Sequence, residues 1–230
     1  KLAPLIRVDK NYSWNNINHN LKKQSFKLSG PRGQYNLETS LLGSHQIENA
    51  ATATAIVETL NSQGLPVSKN SVESGIRNVA WPARFQILLN GPVKLVVDGA
   101  HNPRSMNQLA RMLEEYFVFQ HLILIFGSSS GHNSDEIIAA ISHLSPTVIA
   151  AQSRHPKSTP TKYIAKSAIE QGLKVEFESK NLGIATKHAL DIARPNDLVV
   201  GTGSLFVAAE IIEHVCKISP ELYPEVKQPV

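Results

Sequence analysis

From Phe85 onward, five short apolar runs each lead into a segment that begins like a helix. Residues 95–97 precede Asn102-Pro103, 122–126 precede Ser134, 147–151 precede Thr159-Pro160, 174–177 precede Asn181, and 198–200 precede Ser204. Runs this short, bounded by turn formers, suit strands buried on both faces. Asn, Ser and Thr cap helices because their side-chain oxygens accept from first-turn N–H groups that have no partner in the helix. Proline fits the first helical position because it has no N–H to leave unpaired. Strands alternating with helices of this length restrict the chain to an α/β fold, a doubly wound and mostly parallel sheet with right-handed crossovers. Strand order is not legible at this level.

Before Phe85 the pattern is different. Residues 1–40 are polar and broken, with an Asn-rich stretch at 15–20. Runs at 25–28 and 34–37 flank Gly30-Pro31-Arg32-Gly33, which reads as a hairpin. Helix signals start at Ser44, with Ile47, Ala50, Ala51, Thr54 and Val57 on one face and Gly64 placed to end the helix ahead of Pro66. Ser68 or Ser71 can cap a second helix running to about Val79. Trp81-Pro82-Ala83-Arg84 breaks the pattern, so the expected division is 1–82 and 83–230. The part from about residue 85 is expected to fold independently, and the part before Arg84 to be less protected against hydrogen exchange.

Composition narrows the functional classes. Among 230 residues, 42% are hydrophobic and 18% charged, an ordinary balance for a chain with a real core. The net charge is +4, but the basic residues are scattered, with no Lys/Arg run of the kind that binds nucleic acid. A single cysteine, Cys216, excludes an internal disulfide and suits a reducing compartment. No signal peptide or long apolar segment is visible. The expectation is a cytoplasmic protein with at most a modest attraction to small anionic molecules and no nucleic-acid or membrane partner.

The stretch Lys-Leu-Val-Val-Asp-Gly-Ala-His-Asn-Pro at 94–103 places Asp98, His101 and Asn102 on a loop between a strand's carboxyl end and a helix N-terminus. Ligands bind there in open α/β sheets, although a capped turn bearing a solvated aspartate has the same local pattern. Asn49, four residues after His45, offers a donor and an acceptor that can match an adenine edge, or else simply packs on its helix. Arg84 could reach phosphate oxygens in a cleft, or could form a surface ion pair. Gly201-Thr202-Gly203-Ser204 can present N–H groups and hydroxyls to a carboxylate or phosphate, or can be a plain turn. His132 and His155 fall in loops at the same strand ends, but no pair has metal-site spacing. Gly127-Ser128-Ser129-Ser130-Gly131 matches the G-x-S-x-G nucleophile elbow. In that elbow the helix begins at once, whereas here a polar loop intervenes before Ser134, which argues against Ser129 as a nucleophile.

Five stretches together resemble the folylpolyglutamate synthase/dihydrofolate synthase family of the Mur-ligase superfamily. They are L-L-G-S-H-Q-I-E-N-A-A at 41–51, W-P-A-R-F at 81–85, V-V-D-G-A-H-N-P at 96–103, S-R-H-P at 153–156 and G-T-G-S-L-F-V at 201–207. The resemblance implies a Rossmann-like carboxy-terminal domain at 83–230, preceded at 1–82 by part of the central ATP-binding domain. It implies an ATP-dependent, ADP-forming amide ligase with magnesium, which adds L-glutamate to a reduced folate or to dihydropteroate through an acyl phosphate and acts as a monomer. By position, Asn49 would meet adenine, Arg84 the ATP phosphates, Asp98 the ribose hydroxyls and His101 the same nucleotide site, while Ser204 would lie near the incoming glutamate. The resemblance assigns no catalytic residue or metal ligand within this stretch.

Three departures stand out. Ala83 occupies a position where the family usually has Gly, and Gly131-His132-Asn133 replaces a charged loop. No G-x-x-G-K-[ST] phosphate loop occurs, so the chain is expected to be a carboxy-terminal part that is inactive alone. The alternatives are a non-catalytic nucleotide-binding module and a fragment of a cell-wall peptide ligase.

Overall fold

The computed structural model describes residues 5–220, so the outermost residues of both expected domains lie outside the described residues. The chain forms two compact units, Lys1–Trp81 and Pro82–Val230.

In the first unit α1 (Val8–Asn11) leads into an antiparallel sheet of β1 (Ser13–His19), β2 (Gln24–Gly30) and β3 (Gly33–Thr39), in that order. Helices α2 (Ser44–Ser62) and α3 (Lys69–Arg77) follow. The β2–β3 hairpin is as expected, with Gly30 paired to Gly33 around Pro31-Arg32. A Cβ on Gly30 would lie 2.3 Å from the Tyr12 ring, so the aromatic ring covers the glycine. β1 was not expected. It is an edge strand whose residues other than Trp14 are exposed, so its polar Asn-rich sequence carries no alternation to read. Asn20 makes the β1–β2 turn, its side-chain oxygen accepting from the N–H groups of Lys22 and Lys23 at 2.8 and 3.1 Å.

The core of this unit joins Phe26, Leu28, Tyr35 and Leu37 of the sheet to Ile47, Ala51 and Ala55 of α2. One charge is buried with them. Glu58 accepts from the hydroxyls of Tyr12 at 2.5 Å and Tyr35 at 2.8 Å. Burial first, and the Glu58 carboxylate second, push the Tyr35 hydroxyl up to about 12 and Tyr12 in the same direction. Both tyrosines therefore stay protonated and donate.

The second unit is a six-stranded sheet flanked by helices. In chain order its elements are β4 (Gln86–Asn90), β5 (Lys94–Val97), α4 (Pro103–Tyr116), β6 (Leu122–Phe126), α5 (Ser134–Ala139), β7 (Thr147–Ala151), α6 (Thr161–Glu170), β8 (Val175–Ser179), α7 (Leu182–Ile192), β9 (Leu198–Thr202) and α8 (Leu205–Cys216). The strand order is β4-β5-β9-β6-β7-β8. β5 to β9 are parallel, as expected for the α/β class, and only β4 runs antiparallel, paired with β5. β4 was also missed, because its mixed exposure on the sheet edge leaves neither a solid apolar run nor a clean alternation. The central strands β6 and β9 are buried along their whole length.

Most helix starts follow the caps. Asn102, Asn181 and Ser204 accept from first-turn N–H groups, and Pro103 opens α4. Two differ by a residue. α5 is capped by Asn133 rather than Ser134, and α6 begins at Thr161 after Pro160 with no side-chain cap. In the first unit Ser68, not Ser71, is the cap of α3.

Candidate functional site

Parallel topology brings the carboxyl ends of β5, β9 and β6 side by side, so the loops that follow them converge. The Asp98 N–H donates to Gly201 O at 3.0 Å, Gly203 N–H to Ala100 O at 3.0 Å, and Gly127 N–H to Thr202 O at 3.2 Å. Gly203 stands at φ +99°, and a Cβ there would lie 2.4 Å from Gly127 O and 2.6 Å from the Phe126 ring. Only glycine lets these three loops approach so closely.

Asp98 is bound into this junction rather than solvated. Its Oδ2 accepts from the Phe85 N–H at 2.7 Å and its Oδ1 from the Ala100 N–H at 2.8 Å. Burial raises its pKa from the ordinary carboxylate range, and the two N–H donors, then Arg84 and His101, pull the other way. The Phe85 bond ties the start of β4 to the end of β5 and holds a strained turn. Ala83 and Phe85 both have left-handed backbones, at φ +60° and +47°, and Gly99 N–H donates to Ala83 O at 2.8 Å. The departure from glycine at Ala83 therefore falls where glycine would relieve strain. Arg84 lies exposed between these two residues.

His101 is exposed, with Nδ1 2.9 Å from Gly99 O and its ring edge-on to His132 at 5.3 Å between centroids. Asn102 accepts from Ser105 N–H at 2.9 Å while the Ser105 hydroxyl accepts from Asn102 N–H at 3.2 Å, a reciprocal cap that orients the start of α4. Ser204 caps α8, 5% exposed, its Oγ accepting from Phe206 N–H at 3.2 Å and lying 3.5 Å from Ser129 Oγ.

Asp98, His101 and Ser204 therefore share one loop cluster, with Arg84 on the turn bonded to it. Ser129 sits in a bridge to Ser158 with α5 starting only at Ser134, which is not an elbow. Asn49 belongs to the first unit. Exposed on α2, it donates from Nδ2 to Gln46 Oε1 at 3.0 Å, and Gln46 Nε2 is in turn 3.1 Å from His45 Nε2. Among the described residues no three His, Cys, Asp or Glu side chains converge as a metal site. No described helix is long and apolar enough to cross a membrane.

The sequence reading missed what stands behind Ser204. The loop after β7 folds against α8, where the His155 ring stacks on Phe206 at 3.9 Å and 16° and Glu210 accepts from the Arg154 N–H at 2.7 Å. One signal was available, a glutamate interrupting the apolar run Val207-Ala208-Ala209-Glu210-Ile211-Ile212.

Residues 83–205 match the family model described as Mur ligase, glutamate ligase domain. The chain is 30% identical over 174 residues to a probable bifunctional folylpolyglutamate synthase/dihydropteroate synthase of Haloferax volcanii, covering 74% of this chain and 20% of that protein. It is 25% identical over 178 residues to a dihydrofolate synthase/folylpolyglutamate synthase of Bacillus subtilis, covering 76% and 40%. The chain thus spans well under half the length of these relatives. A solved Mycobacterium tuberculosis folylpolyglutamate synthase, complexed with ADP and AMPPCP, shares the fold with a TM-score of 0.78 and 23% identity over 90% of this chain and 48% of that one.

Proposed function

Because the chain belongs to the Mur ligase family through its glutamate ligase domain, we propose that it is the carboxy-terminal part of an ATP-dependent ligase that joins L-glutamate to a folate or to dihydropteroate. The reaction forms an acyl phosphate. A folate carboxylate oxygen attacks the γ-phosphorus of ATP and ADP leaves. The amine of glutamate then attacks the acyl carbon, phosphate leaves, and an amide bond has replaced the acyl phosphate. Residues 1–82 belong to the central ATP-binding domain and 83–230 form the Rossmann-like ligase domain, a monomer that is inactive without the rest of the enzyme.

The observation that carries this reading is the junction of the loops after β5, β9 and β6, which gathers Asp98, His101 and Ser204 beside two capped helix N-termini. Oriented N–H groups and polar side chains at helix N-termini suit anionic ligands. Each Asp98 oxygen keeps a lone pair beyond its main-chain bond, and these accept the ribose hydroxyls. In the second unit, Arg84 is held by the strained turn to meet phosphate oxygens and His101 lines the nucleotide site. In the first unit, Asn49 offers its amide to adenine. Ser204, at the start of α8, receives a carboxylate of the incoming glutamate. Magnesium, when bound with ATP, offsets charge on the phosphates.

The test is ADP release by the full-length protein that carries this chain, given ATP and magnesium with and without L-glutamate, with a reduced folate and dihydropteroate offered in turn. Glutamate-dependent release that is lost in Asp98→Ala is expected. No turnover with either acceptor, despite nucleotide binding, would favour a non-catalytic module instead.

A further inference from the structure

Glu210 takes no part in the reading above, yet it is the charged group most deeply set in α8. It is 5% exposed, on the helix face that also buries Val207, Ala208 and Ile211. A carboxylate so placed needs partners, and both come from one segment. The Arg154 N–H donates to Oε1 at 2.7 Å, and the Arg154 guanidinium brings Nε to 3.9 Å from Oε2. The same guanidinium donates to Glu213 Oε2 at 2.5 Å.

What Arg154 carries gives this contact its meaning. The next residue, His155, stacks on Phe206. The segment closes on itself where Ser158 Oγ donates to Ser153 O at 2.8 Å. It is joined to the loop after β6 by Ser130 N–H to Lys157 O at 2.6 Å and Thr159 N–H to Ser128 O at 2.8 Å. That second loop carries Ser129, whose Oγ lies 3.5 Å from Ser204 Oγ. Two loops thus form one layer beside the start of α8, and Glu210 anchors the layer to that helix. Buried ion pairs add little net stability over apolar packing, and their better use is to fix geometry.

We propose that Glu210 is a positioning residue whose buried carboxylate, holding Arg154 by main chain and side chain, sets where the 128–130 and 153–159 loops stand beside Ser204 and so shapes the end of the site that receives the amino acid. This rests on the reading of Ser204 given above. Burial raises the pKa of Glu210, while the Arg154 N–H and guanidinium oppose that rise and Glu213 adds to it.

The test uses the full-length protein with Glu210→Gln, Glu210→Ala, Arg154→Ala and the Arg154→Ala/Glu210→Ala double variant. Glutamine keeps an oxygen for the Arg154 N–H and loses the charge, which covers the case in which Glu210→Ala fails to fold. A displacement of about an ångström is enough to raise KM for L-glutamate about tenfold in Glu210→Gln, and KM for ATP should stay within about twofold. The double variant should be no worse than Glu210→Ala, since both remove one contact. An equal rise in both KM values, or none, would overturn the proposal. If the wild-type protein shows no glutamate-dependent turnover, the ligase reading fails and hydrogen exchange decides the anchoring role. Faster exchange in residues 128–130 and 153–159 of Glu210→Gln, with the rest of the unit unchanged, would sustain it, and unchanged exchange in these loops or a uniform rise across the unit would end it.

Discussion

Asp98 gives both carboxylate oxygens to main-chain donors, so its first duty is to the turn it closes. Its raised pKa has a definite sign. The fold favours the protonated form, so this contribution to stability is full below the unfolded carboxyl's value and is lost as pH rises through the higher folded value. Asn at this position cannot titrate. The stability of the wild type relative to Asp98→Asn should therefore fall as pH rises above the ordinary carboxylate range, read as urea midpoints. A relative gain there would show that the two N–H donors outweigh burial. Gly203 makes a second case at this scale. Gly172 also has positive φ, +74°, but a Cβ there meets nothing within 4 Å, whereas at Gly203 it would strike Gly127 O. Gly203→Ala should cost at least about 2 kcal/mol more than Gly172→Ala, the difference being the close approach of the loops. Equal losses would mean that the backbone conformation alone matters.

The elements that could be read from the sequence were those whose causes are local. The five βα units announce themselves by strands buried on both faces and by caps adjacent in the chain, as at Asn102, Asn181 and Ser204. β1 and β4 could not be read, because an edge strand need not bury a regular face. Of the candidate site, Asp98, His101 and Ser204 were legible as loop residues at strand ends. The edge contact of His101 with His132 and the hold of Glu210 on Arg154 were not, since they join positions far apart in the chain. Cap strength can be measured directly. Asn102→Ala removes the Ser105 N–H partner at the start of α4 and should cost about 1 kcal/mol in thermal or urea unfolding. In the first unit Tyr35→Phe removes one of the two donors to buried Glu58 and should cost about 1–3 kcal/mol. No loss there would mean that water replaces the hydroxyl.

At the scale of the whole molecule, the second unit is built around its last strand. β9 hydrogen-bonds to β5 on one side and to β6 on the other, and those two strands do not pair with each other. Without β9 and α8 the sheet falls into two pieces, each with an unpaired edge. A chain ending at Arg194 should therefore lose the cooperative unfolding transition of this unit and bind a hydrophobic dye, whereas a two-state melt would refute the dependence. The other edges are better guarded. β4 covers one flank of β5, and β8 presents Glu176 and Glu178 on its more exposed positions. The same arrangement bears on how the protein is made. A ribosome releases β5 and β6 well before β9, so the nascent chain must wait with a strand-wide gap at its centre. The period of greatest risk of misassembly with neighbouring chains is thus the interval in which residues 127–202 are synthesised, and slow codons or a missing chaperone should matter most there.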